Sequence, residues 1–347
     1  MNGEATARVA FRGGAAAAPS ARGGRRILAG AAALLLFAIG AFAPQHLAND
    51  FLLRLADGGL LLGILALSIA FLMSQAGLVS LGAASVYGGV GYLFAIALSQ
   101  WDLSPLGAII ASMAVVTVYA AILGALIIRT TPLAFMMLTL AAGEMISHAV
   151  LLEGLRDYTS GADGLVVNFS GALFGLEAAD FANSARFWPI VWTAAWVIGV
   201  VVWAVRRSRL GAILRATRQN EERMRFSGFD TYGPRLAAFV LANMIAGACG
   251  LLHMLNSGFV SPESLGLGLS TNALVSALIG GTATSTGPLL GGAIFAFAQD
   301  EFGARGFTQL LTGLAIVVFI VLFPSGVVGA WREFAQRIWR NRDWETG

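Results

Sequence analysis

The sequence predicts an all-α polytopic membrane protein, and three observations carry that prediction. Hydrophobic residues fill 57% of the 347 positions and charged residues only 12%, about half of the roughly 25% of an ordinary soluble domain. Several apolar runs reach the ~20 residues that a bilayer-spanning helix needs. The 43 glycines, with abundant alanine, suit helices that approach one another backbone to backbone in a membrane.

Taken in order, residues 1–26 mix Gly, Ala and Arg without apolar periodicity and read as a disordered cytosolic tail. The run 27–43 follows Arg25 and Arg26. It exceeds the ~7–15 apolar residues of a secretory signal and further spans follow, so it reads as a first transmembrane helix with its N-terminus inside. Alternation then places spans at 57–74, 82–99, 105–128 and 132–152, with Arg129 facing the cytosol. An external segment at 153–186 is acidic through Glu153, Asp157, Asp163, Glu177 and Asp180. A span at 187–205, a cytosolic loop at 206–235 and a span at 236–257 follow.

The segments 271–283 and 287–299 are each short for a crossing and meet at a Gly/Thr/Ser turn, and a last span at 307–329 leads to a basic cytosolic tail, 331–347. The transmembrane domain, 27–330, therefore holds ten segments, or eight spans plus a re-entrant helical hairpin, with both termini in the cytosol. On this layout 18 arginines lie inside, and four (Arg54, Arg156, Arg186, Arg305) outside, as the positive-inside rule requires. The blocks 57–152 and 236–329 enter the membrane from opposite sides, the arrangement of an inverted-topology repeat.

Composition also removes chemistries. All 22 basic residues are arginine, so the chain has neither the lysine of a GxxxxGK[ST] phosphate loop nor one for Schiff-base catalysis. If ATP drives this protein, another chain hydrolyses it. Cys249 is the single cysteine and His46, His148 and His253 are far apart, leaving no disulfide framework and no metal-ligand spacing. No Ser/His/Asp order or catalytic carboxylate pair stands out. The expectation is a non-enzymatic chain that binds no cofactor or metal. Net charge is only +3 and the arginines flank spans, so they report orientation rather than nucleic acid.

The loop at 206–235 is the longest polar stretch between apolar segments. Asn220 is placed to cap a short helix with Glu221 and Glu222 in its first turn, Arg225 in its last and Gly228 as the left-handed residue beyond. Arg206, Arg207, Arg209, Arg215, Arg218, Arg223 and Arg225 place it in the cytosol. A merely solvated basic loop is the plain alternative. Gly211, Ala216, Arg218, Asn220, Glu221, Gly228, Asp230, Arg235, Leu236, Ala238 and Phe239 form an ordered pattern. It resembles the permease subunits of branched-chain amino-acid ABC importers. That resemblance implies a coupling helix docking on an ATP-hydrolysing subunit, with Arg215, Arg218, Asn220, Glu221, Glu222, Gly228 and Asp230 as coupling candidates.

Other segments extend the likeness over 77–330: Ser80-Leu81-Gly82, with Ala83 where a polar residue is customary; the external Thr159, Gly161, Asp163, Gly164, Leu165; Gly258 to Pro262; the GGTATSTGPLLGG turn from Gly280; and Phe323, Pro324, Gly326, Gly329. Thr159, Gly161 and Asp163 either form an ordinary turn or contact a delivered binding protein.

For a translocation path the candidates are Glu144, His148, Thr139, Asn243, Asn272, Gly280, Gly281, Thr284 and Gly287. Glu144 is an acid well inside an apolar span, costly enough to need a partner or wet cavity. His148 and Thr139 offer it a structural latch; substrate contact or a proton relay are the alternatives. Asn243 and Asn272 suit interhelical hydrogen bonds, and the glycine turn suits either tight packing or a path lining. The resemblance implies a second homologous permease, identical or related, ABC ATPase subunits using ATP and Mg, and an extracytoplasmic binding protein, all at a bacterial inner membrane. The solute would be a branched-chain amino acid or similar small polar molecule. An ion-coupled secondary transporter using Glu144 and His148, and a passive small-solute channel, are the rival classes.

Overall fold

A computed structural model describes residues 49–167 and 178–303, together with Leu35, 37–42, Pro44, Gly313 and 326–329. The tails at 1–26 and 331–347, most of the expected first and last spans, Glu177 and Arg305 lie outside the described residues.

The long helices are α1 (Asp50–Ala76), α2 (Ala83–Ser99), α3 (Pro105–Ile127) and α4 (Pro132–Val150). After short turns at α5 (Arg156–Thr159) and α6 (Ala178–Ala182) come α7 (Ser184–Arg207), α8 (Arg209–Gln219), α9 (Glu221–Phe226) and α10 (Tyr232–Ser257). The last two are α11 (Leu267–Gly280) and α12 (Gly287–Gly303). Five of them, α1, α3, α4, α7 and α10, are long and apolar enough to cross a membrane. Two shorter apolar helices, α2 and α11, accompany them.

Local chemistry explains several boundaries. Both α3 and α4 start at a hydroxyl cap followed by proline: Ser104 Oγ accepts from Gly107 N and Thr131 Oγ1 from Ala134 N. Proline at the first helical position has no N–H to leave unsatisfied, so the pair defines the start sharply.

The core sits on α1. In its most apolar window 78% of residues are buried, and 67% in α10, against 22% in α3, α4 and α7. Of the five long helices α1 and α10 are therefore central, joined by the largely buried α2, and the other three form a periphery whose outer apolar faces, such as Ile110, Val118, Ile122 and Leu126 of α3, suit lipid. α12 lies directly on α1. A Cβ at Gly63 would stand 2.8 Å from Leu289 Cα, and Gly292 packs onto the Gly63 backbone, so glycine sets the spacing. The Cys249 thiol donates to Leu61 O at 3.0 Å and joins α10 to α1.

Two differences from the sequence layout matter. α1 begins at Asp50, seven residues before the expected span, and so adds Arg54 to the helix and carries Asp57 about two turns in from its start. Asp57 is fully buried, and neither carboxylate oxygen has a hydrogen-bond partner although the Ser184 hydroxyl at the start of α7 lies beside it. α10 begins at Tyr232, inside the expected loop, because Asp230 accepts from Tyr232 N and Gly233 N and starts the helix early.

The helices alternate in direction, giving the bundle two ends. At one end α1, α3, α7 and α10 meet the α8–α9 loop. At the other, β1 (Leu165–Val166) pairs antiparallel with β2 (Phe259–Val260), Leu165 opposite Val260. Helical turns at Phe37–Phe42 pack on α7: Trp188 Nε1 donates to Gly40 O at 2.8 Å and Trp192 Nε1 to Phe37 O at 3.1 Å.

Candidate functional site

The loop end carries the most built polar arrangement. Asn220 has extended backbone, and its Oδ1 accepts from Arg223 N at 2.8 Å. Glu221 and Glu222 occupy the first turn of α9, and Gly228 has φ +80°, which returns the chain toward α10. The sequence reading missed α8. Its signal was present: Ser208 caps it, and Leu210, Ile213, Leu214 and Thr217 recur at helical spacing, with Leu214 and Thr217 buried.

α8 is fastened to the core by arginines. Arg218 donates to Ser74 O at 2.7 Å, and Arg215 to Gln75 Oε1 at 3.0 Å, both at the C-terminal end of α1. Cations at a helix C-terminus meet its unsatisfied carbonyls and the negative end of its dipole. Arg206 reaches further: it donates to Ser74 Oγ at 2.5 Å, Thr282 O at 2.7 Å and Ala283 O at 3.1 Å. The turn between α11 and α12 is thereby tied to the same point. Arg235, with 6% of its side chain exposed, pairs with Glu221 at 2.6 Å and links α9 to α10. Arg129 lies over the Tyr232 ring, 4.7 Å from its centroid.

The outward side of this loop is aromatic. Phe226 is 90% exposed and Phe229 52%. Neither was singled out from the sequence, where an aromatic within a polar loop is the only available signal. A cavity of about 660 Å³ opens between α9 and the ends of α3 and α10, lined by Arg129, Arg225, Asp230 and Arg235 among others.

The translocation candidates fall in five places. Gly280, Gly281, Thr284 and Gly287 form the α11–α12 break. Gly281 has φ +93°, a Cβ on Gly280 would collide with Gly287 O, and Thr284 Oγ1 accepts from Gly287 N at 2.9 Å. Thr139 is buried where α4 meets α2; it donates to Met136 O and accepts from Leu81 N at 3.2 Å. It makes no bond to Glu144, so of the two side chains expected to latch that carboxylate only His148 stands beside it. Glu144 and His148 instead share an outward face of α4, 3.9 Å apart, with side chains 41% and 76% exposed. Asn243 donates to Phe239 O of its own helix rather than across helices. Asn272 lines a second cavity at the opposite end.

At that opposite end Thr159 is buried, donates to Val150 O and accepts from Gly161 N, while Asp163 is exposed. The β1–β2 pair joins this turn to the Gly258–Pro262 segment, a contact between two motifs that sequence spacing alone did not connect. Among the described residues no group of three or more His, Cys, Asp or Glu is arranged to hold a metal ion.

A bundle of apolar helices long enough to cross a membrane, with a helical basic loop braced to its core, defines an all-α polytopic membrane protein. The chain matches the family model described as "Branched-chain amino acid transport system / permease component" over residues 51–323. It belongs to that family and is a permease subunit of an ABC importer. It is 25% identical to the high-affinity branched-chain amino-acid transport permease LivM of Salmonella typhimurium, over 76% of this chain and 67% of that protein. LivM of Escherichia coli K12 matches at the same identity and coverage. The D-allose transport permease AlsC of Escherichia coli K12 is 28% identical over 56% of this chain and 63% of its own length. No solved structure matches the chain.

Proposed function

We propose that this subunit moves branched-chain amino acids, or a similar small polar solute, and that α8–α9 is the element on which an ATPase subunit docks. Phe226 carries the docking reading. A phenyl ring 90% exposed on a helix held by side-chain bonds to the core is a poor solvated loop and a good anchor for a partner groove. The partners are then ABC ATPase subunits using ATP and Mg, a second homologous permease and an extracytoplasmic binding protein. Glu221, Glu222, Gly228 and Asp230 shape α9 and its exit. Arg215 and Arg218 carry its movement to α1, and Arg206 carries it to the α11–α12 break.

Orientation belongs to the same proposal. Among the described residues Arg54, Arg156 and Arg186 stand at the β1–β2 end, whereas the loop end holds all the others. The positive-inside rule then puts the loop, and with it both termini, in the cytosol. Ten segments and an inverted relation between 57–152 and 236–329 complete this layout.

The test is to tag the chain, extract it from its native membrane in mild detergent and identify what co-purifies by mass spectrometry. A second permease and an ATP-binding subunit are expected with the unaltered chain. Phe226→Ala, and Glu221→Arg combined with Glu222→Arg, are expected to lose the ATP-binding subunit while still inserting. Reproducible recovery of the chain alone, under conditions that preserve other ABC complexes, would overturn the reading.

A further inference from the structure

The second cavity, of about 460 Å³, lies within this single chain at the end away from the basic loop. It is a partly open cleft lined by residues of α1, α2, α10, α11 and α12, and its volume falls in the ~300–1,000 Å³ range of small-molecule sites. Its two ends differ in chemistry. At the mouth stand Arg54 of α1 and Asp300 of α12. Deeper in, the wall is Leu61, Leu62 and Leu65 of α1 with Leu269 of α11.

The packing of α1 on α12 explains why the two charges share the mouth. A Cβ at Gly63 would meet Leu289 and one at Gly59 would meet Ala293, which sets an antiparallel register. Continued for another turn, that register brings Arg54 level with Ala298, within a turn of Asp300. Neither charge forms an ion pair with the other or with any described residue, so both are available to a ligand. From Arg54 to Leu65 is eleven residues, ~16 Å along the helix. The cavity therefore runs from the bundle's end to about half the depth of a ~30 Å hydrocarbon core.

The cavity's other lining groups have fixed geometry. The Tyr87 and His253 rings lie 5.3 Å apart, tilted 32° to each other, and form one wall. The Gln299 amide adjoins Asp300 at the polar end, and the Asn272 amide stands about one turn deeper along α11 than Leu269; both offer donors and acceptors.

We propose that this cavity binds a free amino acid with an aliphatic side chain, its carboxylate on Arg54, its ammonium on Asp300 and its side chain among Leu61, Leu65 and Leu269. The separated opposite charges above an apolar floor match a zwitterion with a hydrocarbon tail; a sugar would leave both charges unpaired and the leucines facing hydroxyls. The choice of an amino acid as solute rests on the transport reading above, which also makes this the end where a delivered solute arrives. The site then holds the solute inside one permease subunit, before it enters any path shared with a second subunit.

The test measures equilibrium binding of radiolabelled L-leucine and L-leucinol to the full chain in phosphatidylcholine/phosphatidylglycerol nanodiscs, without ATPase. Saturable leucine binding is expected, weakened about tenfold or more in Arg54→Gln and in Asp300→Asn. Leucinol keeps the ammonium but lacks the carboxylate, so its weaker binding should fall with Asp300→Asn and be unchanged by Arg54→Gln. A general structural defect would reduce both ligands in both variants and so would overturn the assignment. So would absence of saturable leucine binding, or its loss only when phosphatidylethanolamine is added, which would mark a headgroup site. A complex that still imports leucine in an ATP-dependent way with unchanged KM in both variants would refute the cavity and leave the importer reading standing. Binding by the isolated chain with no ATPase partner found would do the reverse.

Discussion

The guanidinium of Arg218 donates to the backbone carbonyl of Ser74 at 2.7 Å, across 144 residues of sequence, and fastens α8 to the last turn of α1. The bond sits at the junction between an exposed loop helix and the most buried of the long helices, and under the proposed function it passes movement from one to the other. Arg218→Ala is expected to cost about 1 kcal/mol of stability at most, since the side chain is solvent-screened. The larger effect should be on coupling. In the reconstituted complex, ATP hydrolysis is expected to persist while solute moved per ATP falls several-fold. Tight stoichiometry in Arg218→Ala would remove this residue from the transmission route.

The Arg235–Glu221 pair tests the other attachment of α9. Arg235 has 6% of its side chain exposed and its Nε already lacks a partner, whereas Glu221 is 41% exposed. Removing the acid alone strands a buried cation. Glu221→Gln is therefore expected to lower stability by about 2 kcal/mol, less than a fully buried pair because water reaches the acid's side. The double variant Glu221→Gln with Arg235→Met should recover most of the loss. Thermal unfolding of the purified chain in detergent reads both; equal melting temperatures for the wild-type protein and the single variant would show that the pair does not support the fold.

Helix ends with a chemical marker were legible in the sequence. α3 and α4 begin at Ser104-Pro105 and Thr131-Pro132, where hydroxyl and proline announce the start, and their observed limits lie within two residues of those expected. α1 was not legible in the same way. In a hydropathy reading Arg54 looks like a loop residue and Asp57 like the first residue of the span, yet one lines a cavity mouth and the other is buried, because α12 and α7 pack there from 120 residues or more away. Glu144 shows the opposite failure. Its apolar neighbours suggested burial, but which face of α4 turns inward is decided by Gly143 and Thr139 against Gly82 and Ser85 of the α2 entry. The capping of α9 by Asn220 was readable from local order; the aromatic exposure of Phe226 depends on tertiary placement and was not.

Glycine at position 63 is expected to be irreplaceable. A methyl group there would stand 2.8 Å from Leu289 Cα and 2.9 Å from Leu289 O, which are backbone atoms that cannot rotate away. Gly63→Ala should separate α1 from α12 and cost ~1–3 kcal/mol. At Gly199 of α7 a Cβ would meet nothing within 4 Å, so Gly199→Ala should be neutral or stabilise by up to ~1 kcal/mol through helix propensity. Comparing the two melting temperatures separates close packing from the general intolerance of glycine to replacement. Similar losses at both positions would contradict the packing argument.

Glu144→Gln tests whether a coupling ion takes part in transport by this importer subunit. The Glu144 carboxylate lies 3.9 Å from His148 one turn along α4, with both side chains substantially exposed on the helix's outer face. A pair at this spacing contributes only ~0.3–0.5 kcal/mol to a helix, so Glu144→Gln should leave the melting temperature nearly unchanged. If ATP drives transport, uptake by the variant should remain dependent on ATP and indifferent to a collapsed proton gradient, with at most a several-fold change in KM where the face meets solute or a second permease. If Glu144 and His148 carry a coupling ion, Glu144→Gln should abolish concentrative uptake, and uptake by the unaltered chain should fail when the gradient is collapsed even with ATP present. Measuring uptake in vesicles with ATP and the gradient varied independently separates the two, because the amide keeps the shape of the carboxylate and removes only its charge and its proton.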